Sequence, residues 1–171
     1  MLKKRRVILT SLLALVVSAC QQAPNWPTKE TTAVLSAEPV ELGPEVSRFS
    51  PESPAEVVGG LAQICVVLEE GVSDGDSEDR ISKYQAILGD NEIFGSAYDS
   101  DGQVISLMAG SFSWRRDGHI GHKGELSSCL MAHESDRPPV GATIQAIEVE
   151  AKTEIRVLGV YFSSSNAWDT E

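Results

Sequence analysis

Three histidines, His119, His122 and His133, lie close together in the chain, and Glu125 sits among them. Imidazole nitrogens and a carboxylate are the donor set of a catalytic zinc site, so this stretch is where hydrolytic chemistry would be sought. The spacing of His119, His122 and Glu125 suits one face of a helix. Gly118, Gly121 and Gly124 interleave with them and favour a turn instead. A glycine-rich turn does not hold ligands in fixed geometry, so the segment reads as exposed turn histidines and not as a metal site. A small metal-dependent hydrolase using His119, His122 and Glu125 stays open as the alternative. Nucleophilic catalysis has less support. There is no G-x-S-x-G elbow, and a cysteine nucleophile would need Cys65 or Cys129 unpaired beside a histidine. No nucleophile, base and oxyanion donor can be named together, so the reading leans against an enzyme and calls for no cofactor.

The second chemical feature is Trp114-Arg115-Arg116, the one concentrated basic and aromatic spot in an acidic chain. Guanidinium groups suit carboxylate, phosphate or sugar-acid ligands, and a large amphipathic ring anchors partners. Tyr98, Tyr161 and Trp168 are the other large amphipathic rings weighed for this role. Strand alternation puts Trp114 and Arg116 on one face and Arg115 on the other, so Trp114 and Arg116 are the expected binding pair. The competing expectation is that Trp114 belongs to the core.

The start of the chain says where such a module works. Lys3, Lys4, Arg5 and Arg6 precede the uncharged apolar run of residues 7–17, which ends in Val17-Ser18-Ala19-Cys20. A positive head, a short apolar run and small residues before the cut are the parts of a secretory signal peptide. The run is about half of the ~20 residues a membrane-spanning helix needs. Its ending resembles the lipobox of bacterial lipoproteins. The resemblance implies cleavage before Cys20, diacylglycerol on the Cys20 sulfur, palmitate-type acyl chains and a mature protein anchored in the cell envelope. Gln21 follows the cysteine where an aspartate would retain the protein at the inner membrane. The family's sorting rule therefore implies the outer membrane, on its periplasmic or surface face.

Charge agrees with an acyl anchor. Removing residues 1–19 takes away four basic residues and no acidic ones, so the net charge of −11 becomes −15. Such a chain is repelled by nucleic acid and by anionic head groups, which excludes nucleic acid as a partner and leaves the lipid on Cys20 as the membrane contact. The same charge excludes a tRNA-synthetase reading of His119-Ile120-Gly121-His122, which has no accompanying parallel-sheet pattern. With Cys20 given to lipid, Cys65 and Cys129 remain, and in an exported protein they read as a disulfide.

The elements that must carry these residues are mostly strands. Residues 21–57 hold Pro24, Pro27, Pro39, Pro44, Pro51 and Pro54, show no sustained hydrophobic period, and are expected to form a disordered tether, so the domain is placed at 58–171. Residues 61–68 read as a β-branched strand containing Cys65. The acidic stretch around Asp74, Asp76, Glu78 and Asp79 departs from an EF-hand loop, with Asp79 at the sixth position in place of glycine and Gln85 at the twelfth in place of glutamate. Ile81, Tyr84 and Leu88 then fall at helical spacing between Ser77, a capping residue, and Gly89, a stop. Asp99-Ser100-Asp101-Gly102 lies between alternating runs and predicts a hairpin. Further alternating runs cover residues 111–115, 124–132, 143–151 and 153–162, the last two read as a closing strand pair. The whole predicts a mainly β domain, a small β-sandwich or jelly-roll with one short helix. Function stays open among an envelope-anchored binding module for a protein or glycan partner, the hydrolase, and a purely structural envelope protein.

Overall fold

The computed structural model describes residues 29–118, 120–121, 123–132 and 136–166. The chain is mainly β, as the sequence predicts. In chain order it runs β1 (Glu30–Ser36), β2 (Val40–Leu42), β3 (Ser47–Phe49), β4 (Ala55–Glu56), β5 (Leu61–Glu69), α1 (Ser77–Leu88), β6 (Ile93–Asp99), β7 (Val104–Arg115), β8 (Glu125–Ala132), β9 (Thr143–Ala151), β10 (Ile155–Val157) and β11 (Gly159–Ser165). Among the described residues, nine strands form one sheet in the order β1-β11-β5-β8-β7-β6-β9-β3, with β4 also on β9, and β10 pairs with β2 apart from it. Every pairing is antiparallel.

The two layers of this sandwich-like fold are two halves of one bent sheet. Ile64 and Val66 of β5, Leu130 of β8 and Phe162 of β11 share one core with Ile93 of β6 and Ile147 and Val149 of β9. Gly95 of β6 shows how close the halves come. A Cβ there would meet Leu130 Cδ1 at 2.9 Å and Ile64 Cδ1 at 3.7 Å, so the facing side chains fill the space glycine leaves.

The N-terminal segment overturns the expectation of a tether reaching residue 57. Residues 30–56 supply β1 to β4, and Leu42, Ala55 and Val57 are buried in the main core, with Ala33, Leu35, Val40 and Phe49 packed against it. The prolines do not prevent this because they stand between strands. Pro39 precedes β2, Pro44 separates β2 from β3, and Pro51 and Pro54 separate β3 from β4. At those positions a missing N–H costs no ladder hydrogen bond. Cys20, Gln21 and Trp26 lie outside the described residues.

The helix also shows how local chemistry sets a boundary. Its N-cap is Asp76, one residue before the expected Ser77, and the Asp76 carboxylate accepts from the Glu78 N–H at 3.0 Å. Gly89 stops it at φ 55°, donating its N–H to Gln85 O at 2.8 Å. Tyr84, Ile87 and Leu88 pack on the core, whereas Ile81 is exposed. Tyr84 meets Phe112 edge-on at 5.9 Å, and its hydroxyl hydrogen-bonds Ser128 at 3.1 Å, which fixes the helix on β7 and β8.

The hairpin at residues 99–102 forms as predicted, with the Asp99 carboxylate accepting from the N–H groups of Asp101 and Gln103. The closing strand pair does not form. β9 pairs with β6, β3 and β4, while the following run divides at Leu158 into β10, on β2, and β11, between β1 and β5. The break has a visible cause. Leu158 donates its N–H to Val67 O at 2.7 Å, and both Val157 and Val160 enter the main core, a spacing that continuous strand alternation forbids.

The outer face of β5, β8 and β11 is buried too. Cys65, Val67, Cys129 and Tyr161 form a second cluster, covered by Ile120 and Leu158. Cys65 stands directly opposite Cys129 in the β5–β8 register, with Cα atoms 4.1 Å apart, and a disulfide joins them. Its sequence separation of 64 corresponds to roughly 4 kcal/mol of loop-closure stabilisation.

Burial pushes the Tyr161 phenol up from 10.0 to about 12; a hydrogen bond with Ser127 opposes the shift and the Glu125 carboxylate adds to it. Between these values the folded protein keeps a proton that the unfolded chain has lost. The stabilisation is complete below pH 10 and declines by about 2–3 kcal/mol as pH rises towards 12. Denaturant melts at pH 9 and pH 11 should therefore show a steeper loss for wild type than for Tyr161→Phe. Equal losses in the two proteins would contradict this placement of Tyr161.

Candidate functional site

Trp114 and Arg116 lie at the end of β7, where three other parts of the chain meet them. These are the loop of residues 71–76, the first turn of α1, and Lys123 and Gly124 just ahead of β8. The loops are tied at their bases. Gly71 donates its N–H to Lys123 O at 2.7 Å, and Val72 donates its N–H to Gly124 O at 3.1 Å. This contact requires glycine at 124, which has φ 65° and where a Cβ would collide with the Val72 backbone. Gly159 plays the matching part on the outer face, since a Cβ there would collide with Ile120.

Trp114 is half-buried. Its indole N–H donates to Val72 O at 3.2 Å, and the Arg80 guanidinium lies over its ring at 4.3 Å. The ring is therefore neither a core residue nor a free platform; one face holds a cation and the rest borders a cavity. That cavity has a volume of about 330 Å³ and is lined by Gly71, Asp74, Trp114, Arg116, Lys123 and Gly124, among others.

The expected pair is thus brought together, with one correction. Arg116 borders the same cavity as Trp114 but does not lie over the ring. It reaches the Asp74 carboxylate in an ion pair, and the cation on the ring is Arg80. Arg80 Nη1 is also 3.7 Å from Asp74 Oδ1, so one carboxylate is shared by two guanidinium groups. Arg80 Nε and Nη1 are enclosed and have no hydrogen-bond partner. Arg115 points to the opposite face, as alternation requires, and forks onto Glu30 of β1 at 2.7 and 3.2 Å.

Sequence reasoning missed Arg80 because nothing local distinguishes it. It sits in an acidic first turn, and only the packing of α1 against β7 brings it to Trp114. The Asp74 contact was equally hidden, since a solvated acidic turn is what composition alone suggests.

The alternative metal segment is only partly described. His119, His122 and His133 lie outside the described residues, as does Trp168. Glu125 is buried at 1% exposure, and its Oε1 accepts from the Ile120 N–H at 3.0 Å. Its carboxylate helps hold the turn that covers the outer cluster. Among the described residues no group of three or more metal-ligating side chains converges, and no helix is long and apolar enough to cross a membrane.

Trp114→Ala should cost about 2–3 kcal/mol in denaturant melts, below the ~3–5 kcal/mol of a full core tryptophan because the ring is half-buried. A double-mutant cycle with Arg80→Ala should show coupling of about 1 kcal/mol from the stacked cation. A Trp114→Ala loss within ~0.5 kcal/mol of zero would mean the ring is not packed as described.

No family model matches the chain, and no curated protein matches it in sequence.

Proposed function

We propose that this protein is an envelope-anchored lipoprotein whose β domain binds a protein or glycan partner without catalysis, through the rim formed by Trp114 and Arg116. The observation that carries the binding reading is the shared cavity of Trp114 and Arg116, with Arg80 stacked on the ring and Asp74 between the two guanidinium groups. It is a concentrated cationic and aromatic spot on a chain of net charge −15 once residues 1–19 are removed. Aromatic and arginine side chains together are the usual carriers of binding energy at interfaces. The lipobox-like Val17-Ser18-Ala19-Cys20 supports the anchor, and Gln21 supports the outer membrane. The disulfide supports an oxidising compartment.

One experiment in intact cells tests both halves. Cells expressing the full chain are labelled with a fatty acid, crosslinked, and fractionated into inner and outer membrane. Wild type should carry label, sediment with the outer membrane and yield a crosslinked partner. Cys20→Ser should lose the label. Arg116→Glu, at a side chain that is 71% exposed, should keep the label and lose most of the partner. Label on Cys20→Ser would overturn the anchor, and undiminished capture by Arg116→Glu would overturn the binding face.

A further inference from the structure

We infer that the cavity beside Trp114 takes a carboxylate-bearing sugar, whose carboxylate replaces that of Asp74 between Arg80 and Arg116. The inference rests on the binding reading above and names its ligand.

Asp74 forms an ion pair with Arg116, and its Oδ1 stands 3.7 Å from Arg80 Nη1, where no hydrogen bond forms. Arg80 is nevertheless largely enclosed, with 16% of its side chain exposed, and Nε and Nη1 lack a hydrogen-bond partner. A buried guanidinium with unmet donors is costly, and its planar fork matches the two oxygens of a carboxylate. The Asp74 carboxylate does not meet that demand, because it stands 3.7 Å from Arg80 Nη1 and makes no hydrogen bond there. A ligand carboxylate, free of the loop that holds Asp74, can close that distance.

Asp74 is placed to leave. It is 49% exposed and lies between Gly71 and Gly75, beyond the anchored base of its loop. With Asp74 turned out to solvent, the charged side chains that line the cavity are Arg116, Lys123 and Asp117, and Arg80 lies on the Trp114 ring. Arg80 also lines a neighbouring recess with Asp76, Asp79 and Lys83, and the Asp76 carboxylate is engaged in capping α1. The cavity lining itself, two cations and one carboxylate, then has an excess of positive charge that an anion satisfies. A neutral sugar gives no reason for Asp74 to move.

The scale of the cavity favours one ring over a protein surface. About 330 Å³ lies at the small end of ligand pockets, whereas a standard protein interface buries roughly 1,600 Å² in total. Gly71 puts no side chain into the wall, so the ring can approach closely there, and the remaining indole surface offers an apolar contact for its C–H face. The Asp74 carboxylate in the free protein acts as an internal competitor, so affinity depends on how readily it is displaced.

Titration calorimetry of the full-length protein in detergent, with glucuronic acid, glucose and a glucuronate-terminated disaccharide, tests this. Glucuronate should bind saturably and glucose at least tenfold more weakly. The disaccharide should bind at least as well as the monosaccharide if the source is a polysaccharide end, and more weakly if it is a free sugar acid; binding of either supports the assignment. Asp74→Asn should tighten glucuronate binding about three- to tenfold, and Arg116→Gln should weaken it at least tenfold. Both changed side chains are substantially exposed, and a retained cooperative melting transition will establish that both variants fold. Equal affinity of wild type and Asp74→Asn would overturn the displacement, and absence of saturable glucuronate binding in both would overturn the ligand class. If glucuronate fails while partner capture still depends on Arg116, this inference falls and the binding reading above stands. If both fail, both fall.

Discussion

Strands β5, β8 and β11 have no solvent-facing side along their middles, and the rest of the structure follows from that constraint. Their inner face packs Ile64, Val66, Leu130 and Phe162 against the opposing half of the sheet. Their outer face carries Cys65, Val67, Cys129 and Tyr161, which a sheet open to water would leave exposed. Something must cover them, and the loop of residues 116–124 does so by laying Ile120 over the cluster. Glu125 and Gly159 hold that cover in place, one by accepting the Ile120 N–H and the other by having no side chain in the way. The same loop then fixes Val72 through Gly124, Val72 accepts the Trp114 indole N–H, and Arg80 settles on the ring. The candidate site is in this sense a consequence of closing the outer face.

The parts of this arrangement that were legible in the sequence are those determined locally. The β-branched run of β5, the Asp-Gly hairpin between β6 and β7, and a helix stopped at Gly89 each follow from a few adjacent residues. What was not legible depends on partners distant in sequence. The strands of residues 30–56 carry little periodicity of their own and are held by β11, β10 and β9, so their prolines looked like tether when they are punctuation. The run after residue 153 looked like one strand because its division rests on Val67, 91 residues before Leu158. For the site, Trp114 and Arg116 were visible as residue types, and alternation correctly separated Arg115 from them. Arg80 and Asp74 were not visible, because an arginine in an acidic stretch shows no sign of the ring it will cover.

Function and fold meet at one boundary. The domain is strongly acidic, yet where β7, α1 and two loops converge it gathers Arg80, Arg116 and Lys123 around an indole. Asp74 neutralises part of that charge in the free protein, which keeps the enclosed Arg80 from standing wholly unpaired. In the binding reading proposed above, a side chain that stabilises the empty site and yields to a ligand would keep the module folded before a partner arrives. The acyl anchor read from Cys20 would place such a module at a membrane surface, where an envelope partner is at high local concentration.

The outer face of β5, β8 and β11 is closed around a bonded Cys65 and Cys129, and the covering loop and the site both depend on that cluster. Alkylation of the native, unreduced protein followed by mass spectrometry is the most direct measurement. A bonded, covered pair gives no alkylation at Cys65 or Cys129 and a linked pair of peptides containing them. Recovery of two alkylated cysteines at these positions from the folded protein would contradict it.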